Sequence, residues 1–148
     1  MTFLVIPASP VAQPRQRHKI ICGHVSNYTP TASPANTFKA TARLTWQQLC
    51  KDVAPLNCPV YLGVDFVFPK PKSKTKAKDS GHRIWCDVKP DVDNLLKCLQ
   101  DALNGLAWTD DKLIVMVRMT KTYAADCESP KVELTVLPAE PIVTTGGD

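Results

Sequence analysis

The sequence predicts an α+β protein of two layers, a mixed β-sheet with about two main helices packed on one face. Three observations carry this. Two segments repeat their apolar residues every three or four positions, as a half-buried helix does. The remaining apolar runs are short, rich in β-branched and aromatic residues, and stopped by proline. Their order is strand, long loop, helix, strand, helix, strand, strand. At 148 residues with 44% hydrophobic content, the chain is long enough for one real core. One domain over residues 1–138 is expected, with 139–148 as a frayed tail.

Phe3 to Ile6 reads as a strand stopped by Pro7. "PASPVAQPRQRHK" is too rich in proline for a regular element, and Ile20 to Cys22 reads as a brief strand before the loop "NYTPTASPAN". From Thr37, the spacing of Phe38, Ala42, Thr45, Leu49 and Val53 predicts a helix that Pro55 ends. Val60 or Tyr61, then Val64, Phe66 and Phe68, make a strand stopped by Pro69. "PKPKSKTKAKDSGHR" places lysines at 70, 72, 74, 76 and 78, a loop that like charges keep extended. It is either a solvated loop or an arm that tracks phosphates. Leu95, Leu99, Ala102, Leu103 and Leu106 form the stripe of a second helix, closed by Asn104-Gly105. Strands follow at Leu113–Tyr123 and Lys131–Leu137. Trp46, Trp85 and Trp108 are expected to be packing residues.

No apolar run approaches the roughly 20 residues of a membrane helix, and Phe3 to Ile6 is too short for an export signal. The six cysteines show no C-x-x-C spacing. That predicts reduced thiols in a cytoplasmic protein and no zinc site. The net charge of +4 is unevenly spread: the first 90 residues hold 13 Lys/Arg against 4 Asp/Glu, and the first 50 hold no acid. Such a basic half suits a polyanionic partner.

Acids crowd both ends of the second helix. One Asp at its start is ordinary capping, worth roughly 1 kcal/mol, but capping needs neither Asp91 and Asp93 together nor the adjacent Asp110 and Asp111. Asp91 and Asp93, one residue apart, share a face if extended. The helix is about 16 Å long, and Leu106 to Asp111 spans up to roughly 20 Å extended. A chain turned by Gly105 then returns Asp110 or Asp111 to Asp91 and Asp93. Three or four converging carboxylates repel one another unless a cation joins them. Hard oxygen ligands suit Mg²⁺, with Mn²⁺ as a substitute. Lys97, four residues after Asp93 and four before Asp101, is either part of an i,i+4 ladder or an ammonium beside the metal.

The block "KPDVDNLLKCLQDALNGLAWTDDKLI" resembles the signature of the RusA-type Holliday junction resolvases, small endonucleases often carried by phages and prophages. "IPASPVAQPRQR", "YTP" at 28–30 and "FVFPKPKSKTK" are similar to further family segments, so the resemblance covers most of Phe3 to Leu137; Ala8 departs from a common Gly. The resemblance implies that Asp91, Asp93 and Asp111 are the catalytic, metal-binding acids, with Asp110 beside the third, and that Lys97 is the catalytic lysine. It implies a homodimer acting on four-way or other branched DNA in the cytoplasm of a bacterial host, in recombination or repair. Arg15, Arg17, Lys19, Lys70, Lys72, Lys74, Lys76 and Lys121 are the residues expected to hold DNA phosphates. Two rivals stay open: a nuclease for flaps or forks, and a DNA-binding protein without catalysis.

Overall fold

The computed structural model describes residues 1–14, 17–28, 33–74 and 81–144, with only the backbone described at residues 17, 18, 27 and 28. Strands β1 (Thr2–Ile6), β2 (Arg17–Ile21) and β3 (His24–Tyr28) precede helix α1 (Pro34–Leu49). Strands β4 (Val60–Phe68) and β5 (Ile84–Trp85) then lead to helix α2 (Val92–Leu103), followed by β6 (Ile114–Tyr123) and β7 (Lys131–Pro138). Five strands form one mixed sheet in the order β1-β7-β4-β6-β5, and β2 and β3 form a separate hairpin. β4 and β6 are parallel, while every other pairing is antiparallel. Parallel neighbours need a crossover, and α2 is that crossover. The α+β architecture expected from the sequence is the one formed.

The core lies between the sheet and the helices. Leu62, Val64 and Phe66 of β4 and Val132, Leu134 and Val136 of β7 alternate onto it. Phe38, Ala42 and Trp46 of α1 and Leu95, Leu99, Ala102 and Leu103 of α2 close it from above. Arg43 ties the helices together by donating to the Ala102 carbonyl at 3.0 Å and the Asp101 carbonyl at 3.2 Å, which satisfies acceptors at the end of α2.

Four local expectations need correction. α1 begins three residues early, because Pro34 sits in its first turn, where a missing N–H costs nothing. It ends at Leu49 rather than near Pro55, and Leu49 and Val53 are exposed instead of buried. The expected brief strand at Ile20–Cys22 is one arm of a hairpin turned by Cys22 and Gly23 (φ 48° and 79°). Two consecutive positive φ values mark a type I′ turn, for which Cys is not a usual signal. Trp46 and Trp108 pack inside as expected, but Trp85 is 71% exposed on the two-residue β5.

Candidate active site

The segment before α2 is held from the sheet. Lys121, near the end of β6, points to the helix side and donates through Nζ to the carbonyls of Val88 and, at 2.7 Å, Pro90. Cys86 N donates to Lys121 O at 3.1 Å. The Lys89–Pro90 peptide is cis. Lys121, expected among the DNA-phosphate contacts, directs its ammonium at these carbonyls, immediately ahead of Asp91.

Asp91 occupies the N-cap position of α2 with extended backbone (φ −73°, ψ 147°), yet its side chain makes no capping hydrogen bond. Asp93 lies in the first turn. Both are exposed, and neither carboxylate has a hydrogen bond or ion pair within the described residues. Capping therefore does not account for them. Each keeps its full set of oxygen acceptors for something outside the chain.

Gln13 belongs to the same place, and the spacing of acids gave no sign of it. Its backbone N–H donates to the Asn94 carbonyl at 3.0 Å, pinning the N-terminal segment against the first turn of α2. Gln13, Lys89, Pro90, Asp91 and Asn94 line an open cleft of about 300 Å³. The Gln13 Oε1 atom is buried without a hydrogen-bond partner. An orphaned amide oxygen costs on the order of 1–3 kcal/mol, and Gln13 shares its cleft with Asp91.

Farther along α2, Lys97 Nζ donates to Asp101 Oδ1 at 2.9 Å, and Lys39 Nζ lies 3.8 Å from Asp101 Oδ2. The i,i+4 ladder is thus formed. The Asp101 hydrogen bond, and then its charge, raise the Lys97 pKa, and the charge of Asp111 adds to this. Asp111 is half-buried, with Oδ1 accepting from the indole N–H of Trp108 at 2.7 Å. Asp110 caps the short 3-10 turn 111–113: its Oδ1 accepts from Lys112 N at 3.0 Å, and Lys112 Nζ lies 3.7 Å from its other oxygen.

Convergence of three or four carboxylates within one chain is not what forms. Among the described residues, no three His, Cys, Asp or Glu side chains gather closely enough to hold a metal ion. The returning chain is not extended. Gly105 (φ 81°) opens a compact turn in which Gly105 N donates to Trp108 O at 2.8 Å, and Trp108 is wholly buried. Leu56 bonds to Ala107 and Thr109 and holds the loop against the body. Burial of Trp108 makes the return compact, and its indole ties Asp111 to the core.

Asp91 and Asp93 still fit a hard divalent cation. Mg²⁺ commonly takes only one or two carboxylates and fills its shell with water and substrate phosphate, and the Gln13 oxygen is a further hard donor at the same cleft. Of the expected phosphate-binding residues, Lys19 and Lys74 are exposed, Lys72 lies with Lys74 in a 3-10 turn, and Lys70 is bonded to Asp126 at 3.0 Å. Arg15 and Lys76 lie outside the described residues, and only the backbone of Arg17 is described.

Known proteins place these features in context. The family model described as Endodeoxyribonuclease RusA matches residues 7–137. The chain is 35% identical over 132 residues to the uncharacterized protein YqaN of Bacillus subtilis (strain 168), covering 86% of this chain and 89% of that one. No helix among the described residues is long and apolar enough to cross a membrane. The exposed acids at the crossover helix, the basic N-terminal half and a match running nearly end to end agree: the chain belongs to the RusA endodeoxyribonuclease family.

Proposed function

We propose that this protein is a Mg²⁺-dependent endonuclease that resolves four-way Holliday junctions by paired symmetric nicks, working as a homodimer in phage- or prophage-linked DNA recombination and repair. One observation carries the reading: Asp91 and Asp93 stand exposed at the start of α2 with no bond among the described residues, and Asp91 shares a cleft with Gln13, whose side-chain oxygen is orphaned. Asp91 and Asp93 are the residues that would hold the metal; Asp111 is the third acid the family resemblance names, although the three do not gather into one cluster among the described residues. When bound, Mg²⁺ supplies an activated water and stabilises charge on the scissile phosphate. Lys121 fixes the chain ahead of Asp91. Lys97, whose raised pKa keeps it charged, offers an ammonium to phosphate oxygens. Lys19 and the lysine loop hold flanking phosphates, which makes affinity steeply salt-dependent.

The dimer is supported by β6. Among the described residues its outer edge is paired with β5 only at Thr122 and Tyr123, leaving Ile114 to Thr120 without a strand partner there, with Val115, Met116 and Val117 exposed. Long apolar edges of this kind are ordinarily covered. A symmetric pair of sites matches a two-fold symmetric junction.

The test is a labelled synthetic four-way junction incubated with Mg²⁺ or Mn²⁺, with nicks mapped on all four strands. Symmetric paired nicks near the crossover are expected. Asp93→Asn should bind the junction like the parent and lose cleavage by at least about a hundredfold. Cutting of flaps alone would make the protein a different branched-DNA nuclease, and a parent that never cuts would make it a binding protein.

A further inference from the structure

The β2–β3 hairpin has an unusual tip. Ile20 pairs with Val25 and Ile21 with His24 across the Cys22–Gly23 turn. Paired residues share a face and successive pairs alternate, so aliphatic side chains project from both faces of the tip. Ile20 is 73% exposed, Val25 67% and Ile21 51%. None of the hairpin's described residues belongs to the hydrophobic core. A hairpin of two strands gains little stability in water by itself, and three exposed branched aliphatics at its end do nothing for its folding. They suit a surface that the free protein lacks.

Charge identifies that surface. The hairpin carries Arg17, His18, Lys19 and His24 and no acid, within a 50-residue stretch that holds no Asp or Glu. The hairpin of a second copy would present the same positive charge and be repelled, and a polyanion would be attracted. Position agrees. Gln13, bonded to Asn94 in the first turn of α2, lies four residues before the hairpin begins. Four residues plus one five-residue strand reach at most roughly 30 Å, so the chain tethers the tip within that distance of the first turn of α2. An aliphatic tip on a basic stem, tethered to the Gln13 segment that lines the Asp91 cleft, has the composition of side chains that enter a base step and unstack it while the stem holds phosphates.

We infer that the β2–β3 hairpin is a strand-separating wedge: Ile20, Ile21 and Val25 insert among the bases at the branch point of the DNA bound at Asp91 and Asp93. This rests on the nuclease reading for its substrate. The wedge converts closed, stacked branches into open ones and favours DNA whose bases are already unpaired at the branch.

The test places 2-aminopurine at the branch point of a synthetic four-way junction, with Ca²⁺ replacing Mg²⁺ so that binding is read without cleavage. The parent should raise its fluorescence. The variant Ile20→Ser/Ile21→Ser/Val25→Ser changes only exposed positions, and its unchanged melting temperature checks the fold. It should bind within about threefold of the parent, give no fluorescence rise, and cut the closed junction at least roughly tenfold more slowly in Mg²⁺. A junction with two unpaired bases built in at the branch should be cut by both proteins at similar rates. The wedge is overturned if the parent gives no rise, if the variant gives the same rise, or if the variant loses equal activity on both substrates, which would make the tip a docking contact only. A parent that cuts neither junction refutes the nuclease reading, while the fluorescence comparison still decides the wedge.

Discussion

The indole N–H of Trp108 donates to Asp111 Oδ1 at 2.7 Å, so a wholly buried core residue holds a candidate catalytic acid. The other Asp111 oxygen has no hydrogen bond among the described residues, and the charge of Asp111 adds to the raised pKa of Lys97. Trp108→Phe keeps an aromatic ring but removes the donor and leaves a small cavity. It should destabilise the fold by about 1–3 kcal/mol in urea unfolding. At temperatures where it remains folded, cleavage should fall more than junction binding, because the carboxylate is no longer oriented. Equal loss of both would assign Trp108 to stability alone.

Lys121 is a positioning residue in this arrangement. Lys121→Met keeps the aliphatic stem and removes the bonds to Val88 and Pro90. Mutation of a group that orients a metal ligand typically costs about 10–100-fold in metal affinity or activity. The expected outcome is a higher Mg²⁺ requirement with nearly unchanged junction affinity. A loss of junction affinity with an unaltered Mg²⁺ titration would instead make Lys121 a phosphate contact.

Self-pairing along β6 has a checkable register. The strand is preceded by Asp110 and Asp111 and carries Arg118 and Lys121 toward its end. Antiparallel pairing of two copies about Met116 sets each acidic end over the other's basic end, whereas centring on Val115 faces Lys112 with Arg118. In a background with Cys22 and Cys127, both exposed, changed to Ser, Met116→Cys should form a disulfide-linked dimer on mild oxidation. Met116→Asp should sediment as a monomer. A Met116→Asp protein that remains dimeric places the interface elsewhere.

Acid stability should depend on Glu128. Hydrogen bonds from Arg83 lower its pKa from 4.5 to about 2, and those from Ala125 N and Lys131 add to this. A depressed carboxylate stabilises the fold above its unfolded pKa, and that contribution is lost as pH falls through about 2. Arg83 also bonds Glu133 of β7, so the pair staples the β6–β7 connection to the sheet. Arg83→Met should therefore be less stable than the parent at neutral pH. The gap, measured by urea unfolding, should narrow progressively from about pH 4.5 downward. A gap independent of pH would mean that packing, not charge, is what Arg83 contributes.

Much of the fold is local in origin and was readable from residues. The α2 stripe from Leu95 to Leu103, the proline stops after β1 and β4 and the alternation in β7 each specify an element through period and backbone restriction. The hairpin was half-read because its turn uses Cys22 at a positive φ. β5 was missed because two residues carry no period; it exists only where Thr122 and Tyr123 supply a partner.

The site divides in the same way. Residue order alone makes the groups available: Asp91 and Asp93 two positions apart at a helix start, Lys97 one turn on, Asp110 and Asp111 after a Gly turn, and a basic half without acids in its first 50 residues. Where they stand depends on how the chain packs. Burial of Trp108 compacted the return and tied Asp111 to its indole, the strand residue Lys121 reached across to the carbonyl ahead of Asp91, and Gln13 arrived from 78 positions away in sequence to share the cleft. Spacing along a chain fixes an upper bound on reach, but the distance adopted depends on what must be buried on the way, and burial depends on the whole fold.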